Sequence, residues 1–222
     1  MSIKEKLNEI NKNITKFSQV ASIKMVAVTK YATDEQLLEA SRAGVKIFGE
    51  SYVLAALDRI ERLASKLNKD IEWHLIGTLQ KNKVNKAVGR FNLIQSVDSL
   101  ELLEKIDLRS ASLGIKQEIL IQVNISGEIT KSGFSPSDFS SSLDKILTYK
   151  NVKVKGLMAM NAQYSSDQTL DENFKIMRSL LNLLSSKRPD AEFDLSVGMS
   201  ADYCASLKRG ASMVRIGSAL FG

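Results

Sequence analysis

The side chains best suited to chemistry fall in two places: Lys30 near the start of the chain, and a group near its end comprising Gly198, Met199, Ser200, Arg215, Gly217 and Ser218. Lys30 closes the apolar run Lys24-Met25-Val26-Ala27-Val28-Thr29-Lys30. If that run is a strand, Val26, Val28 and Lys30 share a face. On the interior face of a barrel, that register stands the amine at the mouth. A neutral lysine amine attacks carbonyl carbon, and a partly desolvated site among other cations would lower its pKa enough to populate that form. The plainer reading is a solvated lysine at a strand end. In Ser196-Val197-Gly198-Met199-Ser200-Ala201-Asp202, a glycine turn leads into a short helix whose first amides, with the Ser200 hydroxyl, could hold an anion. In Arg215-Ile216-Gly217-Ser218, glycine allows close backbone approach to a phosphate and Ser218 adds a donor. Both glycines also read as ordinary turn residues. Arg215 alternates with Met213 and Gly217 and shares a face with them; if that face is the barrel interior, its guanidinium needs a partner: Asp194, a loop carboxylate, or a ligand.

Several other chemistries are disfavoured. With one histidine, His74, and one cysteine, Cys204, an imidazole-thiolate metal site and a Ser-His-Asp triad have little to build on, and no internal disulfide can form. His74 reads as structural or cofactor-neighbouring, and Cys204 as a small core residue. The net charge of +6 raises the question of nucleic acid. Its densest cluster, Lys81, Lys83, Lys86 and Arg90, has helical spacing and few aromatics, so a solvated helix face is expected and no nucleic-acid partner. No apolar run is long enough to span a bilayer and the N-terminus lacks a secretion signal, so a cytoplasmic protein without membrane contact is expected.

The elements that would position these residues alternate along the chain. Ile3, Leu7, Ile10, Ile14 and Phe17 mark an opening amphipathic helix. After the Lys24–Lys30 strand, Thr33-Asp34-Glu35-Gln36 forms a capping box for a helix that stops at Gly44. Further strands are predicted at 46–49, 72–76, 92–96, 117–124, 152–158, 193–196 and 213–216, with helices between them, including one over 81–88 and one capped by Asp98 and Glu101. Ser135 and Pro136 open another helix, preceded by a polar loop containing Lys131, Ser132 and Gly133 that is either a lid or a connection. Eight strands alternating with helices predict one α/β domain over residues 1–222: a (β/α)8 TIM-type barrel with an extra N-terminal helix. A doubly wound open sheet is the alternative. In the barrel, the loops after the seventh and eighth strands lie side by side at the face where such folds bind phosphate, opposite Lys30.

Ala27-Val28-Thr29-Lys30, Phe48-Gly49-Glu50, Trp73-His74-Leu75-Ile76-Gly77 with Leu79-Gln80-Lys81-Asn82-Lys83, Gln122-Val123-Asn124, Lys131-Ser132-Gly133, Gly156-Leu157-Met158-Ala159-Met160, Gly198-Met199-Ser200 and Met213-Val214-Arg215-Ile216-Gly217 occur in one order. In this the chain resembles the pyridoxal phosphate homeostasis proteins, also called the proline synthase co-transcribed family, which are similar to the barrel domain of alanine racemase. The resemblance implies pyridoxal 5'-phosphate (PLP) held as a Schiff base on Lys30, with phosphate at Ser200, Gly217 and Ser218 and Arg215 facing the pyridine nitrogen. It implies a monomeric carrier or buffer for PLP homeostasis, serving PLP-dependent apo-enzymes, without robust catalysis. The rival it leaves is a PLP-dependent amino-acid racemase, which needs a base on each face of its substrate; in alanine racemase a tyrosine from an additional domain of the partner subunit supplies the second. Ser51 stands where the family usually has asparagine, so no cofactor contact is assigned there.

Overall fold

The computed structural model describes all residues except 127, 129–131 and 163–164. Its strands are β1 (Lys24–Val28), β2 (Ile47–Glu50), β3 (Glu72–Leu75), β4 (Leu93–Val97), β5 (Gln117–Val123), β6 (Val152–Ala159), β7 (Asp194–Met199) and β8 (Met213–Ile216). They pair in parallel in chain order, and β8 returns to β1 to close the barrel. Strands covered on both faces can be buried throughout, as β4 is. The predicted barrel is therefore the observed one, and the open sheet is excluded.

The helices are α1 (Ile3–Phe17), α2 (Asp34–Arg42), α3 (Val53–Leu63), α4 (Val84–Ala87), α5 (Leu100–Ser112), α6 (Pro136–Ile146), α7 (Asp167–Lys187), α8 (Tyr203–Lys208) and α9 (Ser218–Phe221). Capping boxes at Ser2 and Thr33 start α1 and α2, and Ser135 with Pro136 at the first turn starts α6. The extra helix α1 buries Ile3, Leu7 and Ile10 and packs against α2, α8 and α9. Asn13 Nδ2 donates to the Tyr203 hydroxyl at 2.9 Å. None of the described helices is long and apolar enough to cross a membrane.

Several boundaries differ from the sequence expectation, among them the first strand, which ends at Val28 and leaves Lys30 in the turn beyond it. The helix expected over 81–88 is a 3-10 turn, Lys81–Lys83, followed by the single turn of α4, because the chain must bend at Gly89 (φ +78°) to enter β4. Ser99, not Asp98, caps α5: its hydroxyl accepts from the Leu102 amide at 3.3 Å, while Asp98 accepts from that hydroxyl. β7 runs on through Met199, so Gly198 lies inside the strand at φ +106° instead of in a turn after it. Of the expected lid or connection, Lys131 lies outside the described residues. At the loop's end, Gln122 Nε2 donates to the Ser132 carbonyl at 2.8 Å, and the Phe134 amide to the Gln122 carbonyl at 2.9 Å.

Two apolar layers hold the barrel. Between strands and helices lies the larger, including Phe48, Leu75, Ile94, Ile119, Phe139 and Leu184. Inside the barrel, Val26, Ile47, Leu93, Leu120, Met158 and Met213 form a second cluster. Val26 is thus interior, as alternation predicted. Close backbone approach matters most at Gly156 (φ +141°), where a Cβ would fall 1.9 Å from the Asp194 carbonyl oxygen. Gly156→Ala is expected to cost about 2–4 kcal/mol, with strain and backbone clash combined, and to lower Tm by about 2–4 °C per kcal/mol. Gly114→Ala, also at positive φ (+65°) but with nothing within 4 Å of the new Cβ, should cost only about 1 kcal/mol. Thermal unfolding of both variants checks the contrast.

Candidate functional site

Chain register aims the ends of β1, β3, β6, β7 and β8 at one cleft of about 1040 Å³. Its walls include Val28, Ile76 and Met160 on the apolar side, and Asn161, Met199, Ser200, Asp202, Arg215, Gly217 and Ser218 on the polar side. Five of the expected site residues, Met199, Ser200, Arg215, Gly217 and Ser218, therefore meet there. Gly198 does not line the cleft; a Cβ on it would sit 2.7 Å from Ser206 Cβ, so its role is to let β7 pass close to α8.

The loop after β7 is tied to the one after β8 through a single atom. Ser200 Oγ accepts the Gly217 amide at 3.0 Å and the Ala219 amide at 3.2 Å. With both acceptor positions filled, its own O–H is left to donate. The Gly217 amide is thus not a free anion donor in this structure, as the sequence suggested; Ser200 has taken it. The Met199 amide is likewise engaged, by Asp202 Oδ1 at 2.6 Å. Asp202 Oδ2 accepts from Asn161 Nδ2 at 2.8 Å, which fixes the carboxylate at the cleft wall.

Arg215 is 4% exposed. Its Nη1 donates to the Ser196 carbonyl at 2.9 Å and the Ser196 hydroxyl at 2.7 Å, and Nη2 donates to the Ala159 carbonyl at 2.9 Å. The ion pair with Asp194 considered from the sequence does not form. Asp194 instead bonds Lys24 at 2.7 Å, at the start of β7, one strand length away from the mouth. Burial pushes the guanidinium down to about 10, partly offset by the Asp202 charge. It remains a cation at neutral pH. A guanidinium carries five N–H groups, so those not spent on Ser196 and Ala159 remain for a ligand in the cleft it lines.

Behind Arg215 a buried polar column runs across the barrel interior. The Ser196 hydroxyl donates to Gln95 Oε1 at 2.7 Å, which turns the Gln95 amide nitrogen towards His74 Nδ1 at 3.0 Å. The network assigns the imidazole proton to Nε2, which faces Glu72 Oε2 at 3.4 Å. That contact holds the Glu72 carboxyl below its ordinary range. His74 is therefore a structural residue, three hydrogen bonds removed from Arg215 by way of Ser196 and Gln95. The sequence pattern missed Gln95, because a buried glutamine in an apolar strand has no periodic signature of its own.

Lys30 lies two residues beyond β1, in a turn closed by the Ala32 amide donating to the Thr29 carbonyl at 3.0 Å. Its amine rests 4.7 Å from the Tyr31 ring centroid and 5.8 Å from that of Tyr52. It faces a neighbouring cavity of about 570 Å³ with Ser51, Tyr52, Gly77 and Lys83. The two cavities take their walls from neighbouring positions at the same strand ends, Val28 and Ile76 in one, Lys30 and Gly77 in the other. The expected lowering of the Lys30 pKa is not found. The amine is exposed, and the Tyr31 side chain, then Tyr52, holds its proton above the ordinary lysine value. Tyr31 and Tyr52 were not singled out in the sequence, although both adjoin motif residues.

The arrangement suits a flat ligand carrying an anionic group: apolar walls at Val28, Ile76 and Met160, hydroxyl donors at Ser200 and Ser218, and a buried cation at Arg215. Among the described residues there is no cluster of side chains that could hold a metal ion.

Comparison with known proteins agrees with this geometry. Residues 6–222 match the family model for the alanine racemase N-terminal domain. A Pasteurella multocida protein named pyridoxal phosphate homeostasis protein is 34% identical, covering 100% of this chain and 97% of its own. An Aquifex aeolicus protein of the same name is also 34% identical, covering 100% and 98%. Among solved structures, PipY of Synechococcus elongatus without PLP superposes with a TM-score of 0.90 at 31% identity, and PipY with PLP bound with 0.87 at 30%, each covering 100% of both chains. Alanine racemase of Clostridium difficile, at 18% identity and TM-score 0.73 over 98% of this chain and 56% of its own, shares the fold alone. The chain belongs to the pyridoxal phosphate homeostasis protein family, built on the alanine racemase N-terminal barrel.

Proposed function

We propose that this chain holds PLP reversibly as a Schiff base on Lys30 and serves intracellular PLP homeostasis, releasing the cofactor to PLP-dependent apo-enzymes in the cytoplasm. The observation that carries this reading is the mouth cleft, where Ser200, Ser218 and the buried Arg215 cation meet apolar walls at the end of the strand that leads to Lys30. The names of the full-length relatives and the PLP-bound PipY structure support it.

When bound, the cofactor supplies an aldehyde and an electron-withdrawing ring. Ser200 and Ser218 would hold the phosphate, with Gly217 leaving room for it next to Val28, where a Cβ would come within 3.4 Å of the Val28 side chain. Met199 lines the cleft with its amide engaged by Asp202, and Gly198 supports β7 by letting it pass close to α8. Arg215 would face the ring nitrogen. A guanidinium that stays charged at neutral pH opposes a second positive charge there, so the ring is a weak electron sink and the protein a holder of the cofactor more than a catalyst. That is the reason to rank this reading above a PLP-dependent racemase.

Three outcomes are expected. Borohydride reduction of the PLP-loaded protein should fix the label on the peptide containing Lys30, and Lys30→Ala should lose the visible absorption band; label on a different lysine alone would refute the assignment. Ser200→Ala should weaken PLP binding about 10- to 100-fold, the value of one charge-assisted hydrogen bond of about 1.5–3 kcal/mol, and pyridoxal without phosphate should bind wild type far more weakly than PLP in equilibrium dialysis. The third concerns pH. Because the Lys30 pKa is raised, chiefly by Tyr31, the reactive neutral amine is scarcer at pH 7 than in a free lysine. The rate of covalent capture should rise steadily as pH climbs from 7 towards 10. Tyr31→Phe, by lowering the pKa, should shift that profile to lower pH, which stopped-flow absorbance would detect.

A further inference from the structure

The turn that presents Lys30 is bolted from below by residues that do not line the cleft. The Arg59 guanidinium, projecting from α3, reaches both carbonyls that bracket the turn: Nη1 donates to the Thr29 oxygen at 3.0 Å and Nη2 to the Ala32 oxygen at 3.1 Å. Nη1 also bonds Glu50 Oε1 at 2.8 Å, and Nε lies 3.3 Å from Asp34 Oδ1. Glu50, at the end of β2, is 4% exposed, and the same Oε1 accepts from the fully buried Thr29 hydroxyl at 2.7 Å. Thr29 is held a third way, its amide donating to the Gly49 carbonyl at 3.0 Å.

A buried carboxylate costs several kcal/mol of desolvation unless its partners are well placed, and a pair that served only stability would be replaceable by apolar residues. Here the guanidinium is spent on the carbonyls of Thr29 and Ala32, on either side of the exposed Lys30, and the carboxylate on that guanidinium and the Thr29 hydroxyl. A lysine at 59 could not do this, since only the planar fork of arginine reaches two diverging carbonyls at once. We propose that Glu50, Arg59 and Thr29 are positioning residues for Lys30, holding its turn so that the flexible amine is presented to a carbonyl ligand from a fixed base. This rests on the reading of Lys30 as the covalent attachment point. In that step the neutral amine nitrogen adds to the aldehyde carbon, the C=N bond forms, and the aldehyde oxygen leaves as water with the two amine protons. The clamp takes no part in the proton transfers; it restricts the orientations from which the amine attacks.

The test separates covalent capture from simple binding. Wild type, Arg59→Lys, Thr29→Val and Thr29→Ser are compared for the rate of covalent capture of PLP at saturating concentration. Affinity for pyridoxine 5'-phosphate, which has the ring and phosphate but no aldehyde, and Tm are measured alongside. Arg59→Lys and Thr29→Val should slow capture by about tenfold with affinity for the aldehyde-free analogue within twofold, and Thr29→Ser, which keeps the hydroxyl, should retain the wild-type rate. Unchanged capture in both slow candidates would overturn the proposal. So would a parallel loss of capture, analogue affinity and Tm, which would mark the cluster as structural only. Borohydride mapping of the wild type is the separate check on the underlying reading: label at a lysine other than Lys30 rejects that reading and this one with it.

Discussion

A guanidinium enclosed within a closed eight-stranded barrel has to be matched there, and much of the interior follows from that requirement. Arg215 has no carboxylate within ion-pair distance among the described residues; two carbonyls and one hydroxyl surround it instead. The hydroxyl can accept from Arg215 only by pointing its own proton at Gln95, and Gln95 is thereby oriented towards His74. Each group leaves the next one choice of donor and acceptor, so the polar column is a single specified arrangement. The apolar interior cluster of Val26, Leu93, Leu120 and Met213 fills the remaining space.

The mouth above this column has two halves of different character. On the β7 and β8 side, Ser200 joins two loops through backbone amides and Asp202 is pinned by Asn161 and the Met199 amide, so the donors facing the cleft sit on a rigid wall. On the β1 side, a long flexible side chain stands in solvent over two tyrosine rings, while the backbone beneath it is held by Arg59 and Glu50. A fixed wall opposite a mobile amine on a fixed base suits reversible capture, because the rigid half can recognise the anionic end before the amine engages. Exposure of Lys30 also explains why its proton is held more tightly, not less: neither burial nor a nearby cation acts on it strongly enough to outweigh the tyrosines.

The barrel shared with alanine racemase does not transfer an activity. At 18% identity the likeness covers strand order and element lengths, and function resides in the groups placed at the strand ends. The full-length relatives, at 34% identity over the whole chain, place it in their family.

Local sequence determined the elements. Periodicity placed α1 and the strands, capping boxes at Ser2 and Thr33 set helix starts, and alternation along β1 put Val26 and Val28 inward; these are short-range properties of the chain. Five of the seven expected site residues line one cleft. The partners of each group required the closed barrel. That Gly198 stays inside β7, that Asp194 pairs with Lys24 and leaves Arg215 to carbonyls, and that Gln95 links His74 to Ser196 all depend on which strands become neighbours and in what register. The Lys30 environment is the clearest case. Its place near a strand end could be read from the sequence, but burial, charge and proton affinity there are set by Tyr31 and Tyr52 and by the solvent around them, and a residue's share of solvent exists only once the chain has folded.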